Sequence, residues 1–294
     1  METPKVYFIK EITPDSIIKI YKALNRDLTD KIAVKISSGE AGGHNFLDPK
    51  LIQKFVNSIN GTLVECNTVI GYKGSRNTSD VHWKTIEDHG FKAIAPFDIM
   101  DEEGEISIPV KNGKHIHENL VGSHLPNYKS MVVLSHFKGH IRGGFGGAMK
   151  NMAIGIASSR GKLNIHCYGQ PDPSFEKLMK ADQDSFLEAM AESVSSILDF
   201  IGKENMVYIN IANKLSIDCD CVPNPADPQM ADIGIFASLD PIAIDQACVD
   251  AVYKSEDPGK ATLIQRMEEK HGIHILERGE ELGIGSRKYE LVNL

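Results

Sequence analysis

Residues 1–100 alternate between two periodicities, and few architectures accommodate that pattern. Residues 6–9 form a short β-type run. Thr13-Pro14-Asp15 then reads as a helix start, with Thr13 as N-cap, Pro14 in the first turn, and Ile17, Ile18, Ile20, Tyr21 and Leu24 at helical spacing. Residues 32–36 are a second β run, and Asp48-Pro49 opens a helix carrying Leu51, Ile52, Phe55, Val56 and Ile59. Residues 61–66 follow as a third strand. This βαβαβ order predicts parallel strands joined by right-handed crossovers.

Further on, Ser79 is expected to cap a helix running to about residue 90. A looser stretch, residues 98–126, contains the strand-like residues 106–110. Then come the apolar run 131–134, a glycine-rich segment, and a long helix predicted over 173–201. Strands are expected at 206–211, 232–238 and 289–292, and helices at 242–253, 260–271 and 275–283. No repeat or linker divides the chain, so residues 1–294 are expected to form a single α/β unit. That unit has a mostly parallel sheet with helices on both faces, and the length leaves open two lobes around a central cleft.

Composition narrows the setting. No apolar run approaches the roughly 20 residues that span a bilayer. Met1-Glu2-Thr3-Pro4-Lys5 lacks the basic-then-apolar order of a signal peptide, so a cytoplasmic location is expected. A net charge of −8 argues against nucleic acid as a partner. Lys111, Lys114, Lys138, Arg142, Lys150, Arg160 and Lys162 nevertheless give the middle third a basic bias suited to a small anionic ligand. The odd set Cys66, Cys167, Cys219, Cys221 and Cys248 is no disulfide framework. Cys219 and Cys221 lie too close in sequence for a relaxed disulfide, so free thiols or metal ligands are expected.

The chemistry concentrates in residues 135–166. His136, Lys138, His140, Arg142 and Lys150 surround Gly139, Gly143, Gly144, Gly146 and Gly147, between an apolar strand and the apolar helical run 152–157. Strand, glycine loop and helix together let backbone N–H groups reach an anion at a helix N-terminus. The glycine spacing fits neither a dinucleotide fingerprint nor a P-loop.

The run KGHIRGGFGGAMKNMAIG, from Lys138 to Gly155, resembles the core motif of the domain of unknown function 362 family. Ser38-Gly39-Glu40, Gly161-Lys162 leading to His166, Asp218-Cys219-Asp220-Cys221, Asp232-Ile233-Gly234 and residues 238–247 resemble it too, so the likeness covers nearly the whole chain. Many members carry a ferredoxin-type insert after the position of His166. Here the stretch 166–173 holds only Cys167, which argues against a 4Fe-4S cluster. More distantly, the segment is similar to the central motif of nickel-pincer lactate racemases, because His140 precedes Lys150 by ten residues and Lys150 precedes His166 by sixteen. That resemblance implies that Lys150 contacts a pyridinium-type organic cofactor, His166 ligates a metal and His140 moves a proton.

The expected site therefore has His140 and Lys150 as catalytic residues. Lys138, Gly143, Gly144, Gly146, Gly147, Lys150, Asn151 and Glu40 would bind a cofactor. His166, Cys219 and Cys221 would bind a transition metal such as nickel, iron or zinc. Glu40, His44 and Asn45 belong at the carboxyl edge of the sheet, where ligands bind. Asp245 reads as structural, whereas Asp240 is left open. His115, His117 and His124 read as loop residues, and Trp83 as packing. The function expected is a metal- or cofactor-dependent enzyme of racemase, isomerase or redox type acting on a small anionic metabolite. The alternative is a non-enzymatic redox or metal-binding module, and the oligomeric state is left open.

Overall fold

The computed structural model describes residues 3–294; Met1 and Glu2, on which part of the N-terminal reading rests, lie outside the described residues. The first half comprises β1 (Lys5–Ile9), α1 (Pro14–Ala23), β2 (Ile32–Lys35), α2 (Pro49–Ser58), β3 (Thr62–Glu65), α3 (Ser79–Asp88), β4 (Phe97–Ile99), β5 (Glu105–Pro109) and β6 (Glu118–Gly122). The central part is β7 (Ser130–His136), β8 (Lys138–His140), β9 (Gly144–Gly146), α4 (Ala148–Ile156), α5 (Ser159–His166), α6 (Phe175–Met179) and α7 (Gln183–Ile201). The remainder is β10 (Met206–Ala212), β11 (Gly234–Ser238), α8 (Pro241–Lys254), α9 (Lys260–Glu269), α10 (His274–Glu281) and β12 (Glu290–Asn293).

The main sheet has eight strands in the order β12-β1-β11-β10-β7-β2-β3-β4. Only β11 runs against its neighbours β1 and β10. All other pairings in this sheet are parallel. The pleat sends alternate residues to two cores. Met131, Val133, Met206 and Tyr208 join the core under α4, α7 and α8. Val132, Leu134, Val207 and Ile209 join the core under α1 and α2. The expected mostly parallel sheet, covered on both faces, is the observed one.

Several local expectations are revised. β1 and β2 are not sheet neighbours, since β11, β10 and β7 lie between them. Their burial explains the placement: β1 is part exposed and suits an outer position, while β2 is buried throughout. The predicted helix over 173–201 is two helices, because the Asp182 side chain accepts from Ser185 N at 2.9 Å and starts α7 afresh. Helix α5 was not anticipated; Ser158 caps it by accepting from Gly161 N. Thr78, not Ser79, takes the N-cap position of α3, and the Ser79 hydroxyl accepts from Asn67 Nδ2 instead.

Strand order also marks where a ligand crevice is expected. From β2 the chain moves one way to β3 and β4, and from β7 it moves the other way to β10 and β11. The order therefore reverses between β2 and β7, and the carboxyl ends of such strands form the ligand crevice of an open α/β sheet. The glycine-rich segment leaves β7 at this point.

Candidate functional site

The segment after β7 is a hairpin rather than an open loop. β8 pairs with β9, Lys138 opposite Gly146 and His140 opposite Gly144, with Ile141 exposed at the turn. Gly144 has φ +77° and presses against Gly272, so a side chain there would meet backbone. Helix α4 follows directly, but its N-terminus is not free for a ligand. Ala148 N and Met149 N donate to the Asp245 carboxylate at 2.7 and 2.9 Å, and Asn210 Nδ2 donates to it at 2.7 Å. A Cβ on Gly147 would lie 2.3 Å from Asp245 Oδ1. The anion expected at this helix end is a carboxylate of the chain itself. Burial outweighs its three donors and lifts Asp245 to about 6. Asp240 likewise caps α8, accepting from Ile242 N and Ala243 N.

One flank of the site is a closed ion network. Glu65, at the end of β3, accepts from Ser38 N and Ser38 Oγ, and from Arg76 Nη1 at 2.6 Å. His82 Nε2 lies 3.2 Å from the same carboxylate. Arg76 Nε also donates to Glu40 at 3.3 Å, and Ser75 N donates to Glu40. Burial pushes Glu65 upward, but Arg76 and His82 outweigh it and hold it well below the usual carboxylate range. Asp220 accepts from Lys138 Nζ at 2.7 Å and faces His136 Nδ1 at 3.1 Å, while His136 Nε2 reaches the Asn213 carbonyl at 2.6 Å. The acids of the Asp218-to-Cys221 stretch are thus unlike each other: Asp220 is buried and paired, whereas Asp218 caps Ala226 N.

The other flank lacks such partners. Lys35 is buried at the end of β2; its ammonium donates to the Ile36 carbonyl and to Asn151 Oδ1. Asn151 Nδ2 in turn faces Lys35 O, Leu134 O and Ser135 Oγ. Gly155 makes room for this lysine, because a Cβ there would lie 2.5 Å from Lys35 Cε. Lys150, half-buried on α4, has no hydrogen-bond partner among the described residues. Burial, reinforced by Lys138, Lys35 and Arg76, brings its ammonium down to about 7. Burial also lowers Lys35 to about 8, against the pull of Glu65.

The two imidazoles that feel the charge of Lys150 have opposite tautomers. His140 Nδ1 accepts from Gly143 N at 2.8 Å, so the neutral ring carries its proton on Nε2. His166 Nδ1 donates to the Lys162 carbonyl at 2.6 Å, which leaves Nε2 with a free lone pair. The His166 ring stacks on Phe186, 4.6 Å between centroids, and Arg142 lies over the same phenyl ring. Burial holds both imidazoles neutral, His140 well below its ordinary value and His166 down to about 3, with Lys150 adding to both shifts. Arg142 Nε is buried without a partner.

The expectation of free thiols at Cys219 and Cys221 is corrected. Cys219 and Cys221 are joined as a disulfide, Cα atoms 5.3 Å apart, because residues 218–222 form a turn rather than an extended strand. A bonded pair offers no thiolate to a metal. A ring nitrogen of His140 and the two sulfurs lie within 4.8 Å of one another, a group that could hold a metal ion once the pair is reduced. Cys66, Cys167 and Cys248 are free and buried.

Other expected residues fall into place as follows. Lys138 and Glu40 are engaged in ion pairs, Asn151 braces Lys35, and Gly146 alone of the four hairpin glycines faces open space. His44 pairs with Asp227 at the surface, and Asn45 Nδ2 donates to the Ala226 carbonyl. His115 and His124 pair with Glu188 and Asp98, and Trp83 packs edge-on against Phe97. Sequence reasoning missed Lys35, Glu65 and Arg76. The signal for the first two was a charged residue ending an otherwise apolar strand, Ile32-Ala33-Val34-Lys35 and Thr62-Leu63-Val64-Glu65.

Fold and site together define a class: a mostly parallel α/β protein with a cation- and imidazole-lined site at the reversal of strand order. The chain belongs to the family described as domain of unknown function (DUF362), whose family model matches residues 32–250, from β2 into α8. No match to a curated protein was found. Among solved structures it is similar to the lactate racemase apoprotein from Thermoanaerobacterium thermosaccharolyticum, at 13% identity and a TM-score of 0.44, over 86% of this chain and 57% of that one. It is also similar to a protein from Thermotoga maritima, at 12% identity and a TM-score of 0.46, over 84% of this chain and 61% of that one. The chain therefore spans about three fifths of the length of these two proteins. Among the described residues no helix is long and apolar enough to cross a membrane.

Proposed function

We propose that this chain is an enzyme acting on a small carboxylate- or phosphate-bearing metabolite, with Lys150 as its anchor and His140 and His166 as its working imidazoles. One observation carries the reading: two buried imidazoles of opposite tautomer lie in the field of an amine that has no hydrogen-bond partner among the described residues. His140 offers a proton from Nε2, and His166 offers a lone pair. A substrate held by Lys150 would meet a donor and an acceptor without any change of ring protonation, which suits proton transfer at neutral pH.

The residues also fit the group that the racemase-like spacing implies. The amine of Lys150 would hold a pyridinium-type cofactor and Nε2 of His166 would ligate a metal, since both atoms lack protein partners. Such a group, when bound, supplies a two-electron acceptor next to the substrate. With the amine of Lys150 so engaged, Arg142 would orient the substrate, and His140 Nε2 would exchange the proton.

Binding tests this directly. Calorimetry of the full chain against inorganic phosphate and a series of small carboxylates should find at least one ligand. Its affinity should fall as pH rises through about 7, because Lys150 then loses the charge that attracts the anion. Lys150→Ala should abolish the binding, and unaltered affinity in that variant refutes the assignment. Metal analysis of protein from its native host should return a lone transition metal that is lost in His166→Ala.

A further inference from the structure

We infer that Cys219 and Cys221, with His140 as hydrogen-bond donor, form a thiol–disulfide exchange centre for a small carboxylate-bearing thiol. This goes beyond the reading of Lys150 and is carried by a different group. The pair is bonded, and a ring nitrogen of His140 lies within 4.8 Å of both sulfurs. Because His140 Nδ1 is taken by Gly143 N, Nε2–H is what the ring can offer to a thiolate. Cys219 is buried and Cys221 half-buried, so the two sulfurs differ in access.

The turn is also held independently of the S–S bond. Tyr72 Oη donates to the Cys221 carbonyl at 2.9 Å, Glu40 N to the Asp220 carbonyl at 2.7 Å, and Arg266 Nη1 to the Ile217 carbonyl at 3.2 Å. Reduction therefore leaves the two thiols in place to re-form the bond. The three remaining cysteines are in the opposite situation, since burial pushes the Cys66, Cys167 and Cys248 thiols up and keeps them inert. The carboxylate of the reacting thiol is drawn by Lys150 and Arg142, cations without carboxylate partners.

The exchange balances as follows. A small thiolate attacks Sγ of Cys221, forming a mixed disulfide and breaking the S–S bond. The electron pair leaves on Sγ of Cys219, whose thiolate accepts a hydrogen bond from His140 Nε2 and is then protonated from solvent. A second small thiolate attacks the outer sulfur of the mixed disulfide, releasing the small disulfide and freeing Cys221, which is protonated. Two thiols are oxidised to one disulfide, and the protein pair takes up two electrons and two protons.

The test uses the full chain equilibrated over ratios of reduced to oxidised glutathione, then alkylated and read by peptide mass spectrometry. Cys219 and Cys221 should convert together as one two-electron couple while Cys66, Cys167 and Cys248 stay reduced. In Cys219→Ser, oxidised glutathione should add one glutathionyl group at Cys221. His140→Ala should slow reduction of the pair roughly tenfold, with part of the rate recovered by the amide donor in His140→Gln. The proposal is overturned if the wild-type pair alkylates as free thiols at every ratio, if modification spreads evenly over all five cysteines, or if a folded His140→Ala variant reduces at the wild-type rate. Wild-type titration decides the matter even if the variants do not fold. Loss of exchange with anion binding intact rejects this centre and leaves the Lys150 reading standing.

Discussion

Two groups of charges meet at the carboxyl edge of the sheet, and they are built on opposite rules. Around Arg76, every ion has a partner: Glu40 and Glu65 hold the guanidinium, and beside them Asp220 holds Lys138. Around Lys150, no carboxylate partner is found among the described residues; Lys35 leans on a carbonyl and an amide, and Lys150 has no hydrogen-bond partner there. The turn at residues 218–222 ties the first group together, since Glu40 N donates to the Asp220 carbonyl. A closed network fixes the walls of a site, and an open one is what a ligand completes. Burial alone does not distinguish them; the presence of partner carboxylates does.

That contrast can be broken from either side. Arg76→Met leaves Glu40 and Glu65 buried without the cation that pairs them, so urea denaturation should show a loss of about 3–5 kcal/mol. A loss below about 1 kcal/mol would mean that the network is not a fixed wall. Lys150→Met should act in the reverse sense, raising stability on the order of 1–2 kcal/mol at neutral pH while removing ligand binding. The sign follows from linkage. Lys150 titrates near 7 when folded against an ordinary 10.5, so the unfolded chain holds the extra proton between those values. Wild-type stability therefore gains a rising contribution from pH 7 to 10.5, which the Met variant should lack when melting is followed across that range. Gly155→Ala is the finest probe. It drives a methyl against Lys35, and a cost of about 1–3 kcal/mol with weaker anion binding is expected. An unchanged midpoint would show that Lys35 moves freely and contributes no fixed charge.

The glycine segment shows how far the sequence reached. Its residue types and its place after an apolar strand announced a candidate site, and both His140 and His166 feel the charge of Lys150. The role assigned to the helix end was wrong, since Asp245 comes from α8, nearly a hundred residues later, to occupy it. Local spacing carries no information about such a carboxylate. The cysteine pair went astray for a related reason: the side-chain alternation of an extended strand was assumed, and a turn was formed.

By itself, then, the sequence determined the α/β layering. Strand and helix periods are local, and caps such as Thr13 and Asp48 hold where they were read because their hydrogen bonds close within three residues. It also singled out residues 135–166, since charged and imidazole side chains beside apolar runs are visible in one dimension. Tertiary structure alone decided which of those groups remain available. Whether a buried lysine is paired depends on carboxylates from distant strands, and which imidazole nitrogen is free depends on a single backbone contact. Glu65, Arg76, Asp220 and Asp245 made those decisions through contacts that no spacing along the chain encodes.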